Sequence, residues 1–258
     1  MIELTSLMII FFLTSILSVV TGSTSLITVP VLLQFGVAPR AALATNMLAL
    51  TCMSVGGTLP FIGKNAIDRT RLPLLIVLTL VSSPLGALLV LIVPSNALQL
   101  IIALAMIAVA VFSIAQPTAG IVPAAGAHLR TAEIAGYMVT FALGLYGGFF
   151  SGGYVTLLTA AYVALFRMTF VEAVSITKVI NIVSSLVATL VFMWRGLIDY
   201  KLSILLGAVM FLGASLGGYL TLKIPDMWLR RVFLTAVVIL ALKILLYDVL
   251  WQMLVLAG

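Results

Sequence analysis

Long runs of apolar residues, divided by charged residues and by Pro/Gly clusters, dominate the chain. The hydrocarbon core of a bilayer is about 30 Å thick, and an α-helix needs about 20 apolar residues to cross it. Each run is therefore long enough to predict at least one membrane helix. The eight runs are Leu4 to Phe35, Pro39 to Phe61, Leu72 to Val93, Ala97 to Ala115, Ile134 to Phe166, Thr169 to Trp194, Leu202 to Leu222 and Leu229 to Leu250.

Two of these runs are too long for one crossing, and each is interrupted near its middle. The first run, Leu4 to Phe35, contains Thr-Gly-Ser-Thr-Ser at 21–25, and the fifth contains glycine and serine clusters between 144 and 153. Backbone that leaves the helix at membrane depth is tolerated where it is buried in protein or lines a polar cavity. Both interruptions are therefore predicted to point into the protein.

The two interrupted runs open two copies of one four-segment unit. At an offset of 131, Ala-Ile-Asp at 66–68 matches Leu-Ile-Asp at 197–199, and Leu-Gly-Ala at 85–87 matches Leu-Gly-Gly at 216–218. At 132, Thr-Asn at 45–46 matches Thr-Lys at 177–178. The pattern predicts an all-α polytopic protein with one transmembrane domain over 1–258. Repeat 1 covers about 4–115, a linker 116–132, and repeat 2 about 133–250.

Basic loop residues distinguish two topologies. If every run crosses the bilayer once, eleven loop Lys and Arg residues divide six to five between the two sides. If the interrupted runs are re-entrant hairpins, the division is eight to three. The positive-inside rule favours hairpins, which make the repeats inverted. The eight predicted inside are Lys64, Arg69, Arg71, Arg130, Arg167, Lys223, Arg230 and Arg231, and the three predicted outside are Arg40, Arg195 and Lys201.

Composition excludes most other classes of protein. Apolar side chains make up 64% of the sequence and charged ones 8%, which leaves no sizeable soluble domain. The net charge of +6 is interpreted as loop charge that sets orientation, so no nucleic-acid partner is predicted. Cys52 has no partner cysteine for a disulfide. Motifs for metal hydrolysis, phosphate-binding loops and Cys–His pairs are missing from the sequence, so we predict neither an enzyme nor a cofactor.

Small polar residues at the two breaks are the first candidates for a binding site. Those at the first break are Ser23, Thr24 and Ser25, and those at the second are Ser151, Gly152, Gly153 and Tyr154. Free backbone N–H groups and the positive end of the helix dipole make a helix N-terminus attractive to anions. The alternative is ordinary capping and close packing by small residues.

Lys178 is the second candidate, because it lies about 15 Å into its run at a rise of 1.5 Å per residue. An ionisable residue at that depth is costly to bury and therefore predicts a functional site. Thr177 and Asn181 lie beside it, and Thr45 and Asn46 occupy the matching segment of the first repeat. The alternative is a structural ion pair with a carboxylate, but Glu172 lies six residues back and nearer the segment end. All seven acidic residues fall near segment ends, which argues against a cation site.

Several spaced motifs together resemble the sulfite exporter TauE/SafE family, also called the toluene sulfonate uptake permease family. In the first repeat they are Gly-Ser-Thr-Ser at 22–25, Val-Pro at 29–30 and Gly-x-x-Pro-x-Ala-x-x-Ala-Thr-Asn at 36–46. In the second they are Gly-Gly-Phe-Phe-Ser-Gly-Gly at 147–153 and Ala-x-x-x-Thr-Lys-x-x-Asn at 173–181. The resemblance covers about 4–250. It implies a membrane carrier for sulfur-containing anions such as sulfite and sulfoacetate, most often outward.

The resulting hypothesis is a multi-pass secondary transporter of the cell (inner) membrane with a small anionic substrate. Its site is predicted at the repeat interface near the midplane, with Lys178 as the countercharge. Import of an organosulfonate or of another inorganic anion remains an alternative. A membrane scaffold that transports nothing is a second alternative, but a scaffold has no reason to interrupt two helices at matched places.

Overall fold

A computed structural model describes residues 2–22, 24–62, 70–94 and 130–223, with 97–98, 100–102, 104–105, 108 and 228. Ser23, the run Leu229 to Leu250, most of the run Ala97 to Ala115 and nearly all of the predicted linker lie outside the described residues. So do four of the basic residues used above to predict orientation, which are Lys64, Arg69, Arg230 and Arg231.

The described residues form α-helices, one short 3-10 turn and no strand, so the prediction of an all-α membrane protein is confirmed for them. The helices are α1 (Ile2–Thr21), α2 (Ser25–Gln34), α3 (Pro39–Thr58, followed by the 3-10 turn Leu59–Phe61), α4 (Leu72–Ile92), α5 (Arg130–Phe149), α6 (Tyr154–Leu165), α7 (Phe170–Trp194) and α8 (Tyr200–Lys223). Four of them, α3 with its 3-10 turn, α4, α7 and α8, are long and apolar enough to cross a membrane.

Local sequence signals explain where several helices begin and end. Thr169 and Glu172 form a reciprocal capping box at the start of α7. Helices α2 and α7 end alike, with Gly36 and Gly196 in the left-handed region at φ of +79° and +64°. In both turns the glycine amide and the next amide bond back to carbonyls of the last helical turn, which is the Schellman arrangement.

Helices α3 and α7 form the centre of the bundle, and most residues of α3 are buried. Helix α8 packs along α3, and α4 packs along α7. Glycine allows the outer helices close approach. A β-carbon at Gly213 of α8 would overlap α1 near Phe12 and Ser15, and one at Gly217 would overlap α1 near Ile16. Because the later glycine of α8 contacts the later residue of α1, the two helices run parallel.

The same close packing joins α5 to α4. A β-carbon at Gly144 would overlap Ser82, one at Gly148 would overlap Ser83, and one at Gly86 would overlap the Leu145 carbonyl. Helices α4 and α5 therefore also run parallel. Gly144 and Gly148, which the sequence analysis placed among the interrupting clusters, lie inside α5, and their small size serves helix packing instead.

The two ends of the bundle are named here by the arginine that each contains. At the Arg40 face, where α3 starts, the Arg40 guanidinium donates a hydrogen bond of 2.7 Å to the Val93 carbonyl at the end of α4. At the Arg71 face, where α4 starts, Arg71 pairs with Glu133 of α5 at 3.2 Å. Arg71 also lies 5.3 Å from the ring of Phe166, just after α6. The start of α5 and the end of α6 thus share one face.

Candidate functional site

The first helix break lies between α1 and α2. Gly22 has a left-handed φ of +69°, which an L-residue adopts only at a cost. Its amide still bonds to the Ser18 carbonyl at 2.9 Å. Thr24 is buried at the N-cap position of α2 but its hydroxyl caps no backbone amide there. It contacts the Met53 sulfur at 3.5 Å instead.

The second break lies between α5 and α6. Phe150 and Ser151 leave the helix, and Gly153 takes a φ of +75° immediately before α6 begins at Tyr154. The Gly152 carbonyl accepts a hydrogen bond from the Tyr146 hydroxyl, which fixes the turn from within its own half of the chain. Ser151, Gly152 and Gly153 are all buried.

The two breaks touch each other. The hydroxyl oxygens of Ser25 and Ser151 are 3.2 Å apart. A β-carbon at Gly22 would lie 2.8 Å from the Thr156 amide nitrogen, and one at Gly152 would lie 2.8 Å from the Leu26 side chain. The N-termini of α2 and α6 therefore meet inside the protein. Each N-terminus carries a partial positive charge, so their meeting point favours a negative ligand.

Lys178 is 1% exposed and points toward the first break. Its ammonium donates to the Ser18 carbonyl at 2.9 Å, the same oxygen that accepts from the Gly22 amide. This carbonyl belongs to the last turns of α1, where the helix dipole is negative and a cation is stabilised. One carbonyl oxygen therefore joins the lysine to the break.

Glu172, the acidic residue nearest to Lys178 in the sequence, has a different partner in the structure. Glu172 accepts from the Thr169 amide at 2.8 Å in the capping box of α7. In the part of the chain described, Lys178 forms no ion pair with an acidic side chain. A buried ammonium is costly without a compensating charge, so this lysine is well placed to attract an anion.

Asn46 joins α3 to the first break. Its amide nitrogen donates to the Ser25 hydroxyl at 2.9 Å, and its carbonyl oxygen accepts from Thr28 at 2.7 Å. Because Ser25 also meets Ser151, one polar chain runs from α3 through α2 to the second break.

Asn181 and Thr177 lie one turn apart on α7, and their hydrogen-bond partners belong to different helices. The Asn181 amide donates to the Ser54 hydroxyl of α3 at 2.6 Å, and its carbonyl oxygen is buried without a partner among the described residues. Thr177 meets Thr159 of α6 at 3.3 Å. Asn181 therefore contacts α3, whereas Thr177 contacts α6.

Two predicted site residues are not brought to this cluster. Thr45 accepts a hydrogen bond of 3.4 Å from the Asp199 amide, near the Arg40 face. It therefore points away from the bonds that Asn46 makes. Ser23 lies outside the described residues.

Four groups that contact the predicted residues were missing from the sequence prediction: Ser18, Thr28, Ser54 and Thr159. The offset of 131 could have found two of them, because it relates Thr28 to Thr159. Each is hydrogen-bonded to the residue eighteen positions later, which is Asn46 or Thr177. Within the described residues no three His, Cys, Asp or Glu side chains lie close enough to hold a metal ion.

The helices that could span a bilayer and the polar cluster buried among them are features of a membrane transport protein. A family model described as "Sulfite exporter TauE/SafE" matches residues 7–244. The chain belongs to this family, and is a membrane transporter, not an enzyme. The resemblance drawn from the sequence motifs is confirmed.

Curated relatives agree with this assignment. The chain is 28% identical over 235 residues to "Probable membrane transporter protein YfcA" of Escherichia coli K12, covering 89% of this chain and 84% of the relative. It is 27% identical over 206 residues to a "Probable membrane transporter protein" of Haemophilus influenzae, covering 80% of each. No solved structure matches the chain. Together with the four apolar helices, these relatives indicate a multi-pass protein of the inner membrane.

Proposed function

We propose that this family member is a secondary transporter that exports small sulfur-containing anions such as sulfite, sulfoacetate or a related organosulfonate. The observation that carries the proposal is the meeting of two helix N-termini beside the buried Lys178. Two partial positive charges and one full positive charge around one point select an anion. The anion binds there, at the interface of the two halves of the chain.

The neighbouring polar groups suit the oxygen atoms of a sulfonate or sulfite group. Hydroxyls, side-chain amides and backbone N–H groups all donate hydrogen bonds to such oxygens. An anion can approach the backbone amides of Gly152 and Gly153 closely because glycine has no β-carbon. The proposed substrate-binding residues are Ser23, Thr24, Asn46, Ser151, Gly152, Gly153, Thr177, Lys178 and Asn181. Thr45 accepts from the Asp199 amide near the Arg40 face instead.

The sulfur anion is proposed from the family description, since the curated relatives are named only as membrane transporters. Import of an organosulfonate or of another anion by the same site is the alternative. A scaffold that transports nothing is less well supported, because a scaffold gains nothing from burying Lys178 away from a carboxylate. Intramembrane ionisable residues are typical of transport pathways.

Labelled-anion flux tests this function. We expect purified protein in liposomes to carry labelled sulfoacetate or sulfite much faster than protein-free liposomes, and to carry sulfate and thiosulfate at different rates from the preferred anion. The comparison of the four anions identifies the substrate. Rates equal to those of protein-free liposomes for all four would contradict transport and favour the scaffold.

We propose further that both broken segments are re-entrant hairpins in inverted repeats of one transmembrane domain. Helix α1 runs parallel to α8, and α5 runs parallel to α4, whereas α2 and α6 return along the helices that follow them. Positions 131 apart also behave alike. Gly22 and Gly153 both have positive φ at their breaks, and the Thr28–Asn46 hydrogen bond matches Thr159–Thr177.

This topology places the Arg40 face outside the cell and the Arg71 face inside. In a Cys52→Ser background, a cysteine replacing Tyr200 should react with an impermeant thiol reagent in intact cells, because the Arg40 face is accessible there. A cysteine replacing Thr131, which is exposed near the Arg71 face, should be protected until the membrane is opened. Labelling of both cysteines, or the reverse pattern, would contradict the inverted arrangement.

A further inference from the structure

A second basic pocket lies at the Arg40 face, away from the buried Lys178. It has a volume of about 280 Å³ and is formed where α3 begins and where α4 and α7 end. Among the described residues, two arginines and three aliphatic side chains line it, and none of these is acidic. The lining residues are Arg40, Leu91, Ile92, Arg195 and Leu197.

The Arg40 side chain has a hydrogen-bond donor without a partner among the described residues. One terminal nitrogen donates to the Val93 carbonyl at 2.7 Å, which fixes the side chain across the start of α3. Its Nε is buried and has no hydrogen-bond partner in the described part of the chain. An unsatisfied buried donor costs free energy, so the helices around Arg40 leave its guanidinium incompletely hydrogen-bonded.

Arg195 supplies the second positive charge. Its guanidinium stacks over the Trp194 ring at 4.6 Å, a contact that holds the planar group while leaving its N–H edge available. The nearby Asp199 accepts from the Leu202 amide at 3.0 Å at the start of α8. This carboxylate therefore has a role at the helix start and is not among the residues that line the pocket.

We propose that Arg40 and Arg195 form a second binding site at the Arg40 face for an oxyanion group, such as a sulfonate or a phosphate. Guanidinium groups recognise such planar or tetrahedral oxygen clusters by paired hydrogen bonds. The aliphatic wall fits a short carbon chain attached to the charged group. The site concentrates anions at one mouth of the transporter. It does not depend on the anion being carried through the buried cluster.

Fluorine NMR of trifluoromethanesulfonate, with the full chain in phosphatidylcholine nanodiscs, tests this site because the method detects weak binding. Arg195→Gln should weaken binding about tenfold, since it removes charged hydrogen bonds. Arg40→Gln should act in the same direction. Lys201→Gln is the matched control: it removes one exposed positive charge near the same face but does not line the pocket. It should change the affinity less than about twofold.

A third arm identifies the source of the oxyanion. Nanodiscs that contain phosphatidylglycerol offer a lipid phosphate to the same two arginines. If phosphatidylglycerol weakens the binding of trifluoromethanesulfonate to the wild type but not to Arg195→Gln, the result supports the oxyanion site and identifies a lipid headgroup as the source of the oxyanion. Equal affinities for the Arg195→Gln and Lys201→Gln variants overturn the proposal. Binding by the buried site contributes equally to both variants, so this result would leave the transport proposal standing.

Discussion

The Lys178→Met variant is expected to lose anion binding by at least about a hundredfold while remaining folded in the membrane. Removing one partner of a buried charge pair costs about 3–5 kcal/mol, and about 1.4 kcal/mol corresponds to a factor of ten in affinity. In the anion-free protein Lys178 has the Ser18 carbonyl, not a carboxylate, as its partner. Methionine has a similar length, and replacing the lysine with it leaves no buried negative charge without a partner. The melting temperature of the variant should therefore not fall below that of the wild type.

Calorimetric titration with sulfoacetate or sulfite, together with thermal unfolding of the same samples, measures both effects. Lys201→Met is the control, because Lys201 is exposed near the start of α8 and should bind anions normally when replaced. Wild-type affinity in Lys178→Met would remove this lysine from the site. A variant that fails to bind and also fails to fold would show a structural role instead.

Gly22→Ala is expected to abolish transport and to lower the free energy of unfolding by about 3 kcal/mol. A left-handed φ costs an L-residue about 1–2 kcal/mol, and forcing a methyl group into a packed contact costs about 1–3 kcal/mol more. The methyl group would meet the start of α6 at Thr156 and Val155. Separating the two breaks should therefore dismantle the meeting point of the two helix N-termini.

Gly36→Ala provides a matched control for this variant. Gly36 has a φ of +79°, close to the +69° of Gly22, but a β-carbon there meets nothing within 4 Å. The control should lose only the backbone cost of about 1–2 kcal/mol and should keep its flux. Thermal unfolding and labelled-anion flux of both variants separate backbone strain from packing. Equal losses of flux in the two would contradict a special role for the contact between the breaks.

The apolar pattern predicted most of the described helices, because a membrane helix needs little more than a sufficient apolar length. The first break was also predictable, since Gly-Ser-Thr-Ser combines a residue suited to positive φ with residues that favour helix starts. The second was predicted too broadly. Gly144 and Gly148 are spaced as on one helix face, and the close approach of α4 keeps them helical.

The contacts of the site were harder to predict, because they join residues distant in the chain. Ser54 meets Asn181 across 127 positions, which only the packing of α3 on α7 can reveal. The partner of Lys178 is a backbone carbonyl at Ser18, and a backbone group leaves no signal in the residue types. Thr45 and Asn46 are adjacent, yet successive residues of a helix point in different directions, so they have different partners.

Transport of an anion outward requires no second ion on energetic grounds. A negative interior drives each net negative charge outward with about 2.3 kcal/mol per 100 mV, which supports a gradient of roughly fiftyfold. The sequence has no acidic residue near the middle of an apolar run, as a carboxylate-based proton relay would require. We therefore propose that the membrane potential alone drives export.

Efflux of labelled sulfoacetate from proteoliposomes, with the potential clamped by potassium and valinomycin, tests the central claim most directly. The wild-type protein should release the anion at a rate that rises as the interior becomes more negative, at any fixed pH gradient. Lys178→Met in matched amounts should release it no faster than protein-free liposomes. Efflux by Lys178→Met at the wild-type rate would contradict the account, because the anion would then pass without the lysine beside the two helix breaks.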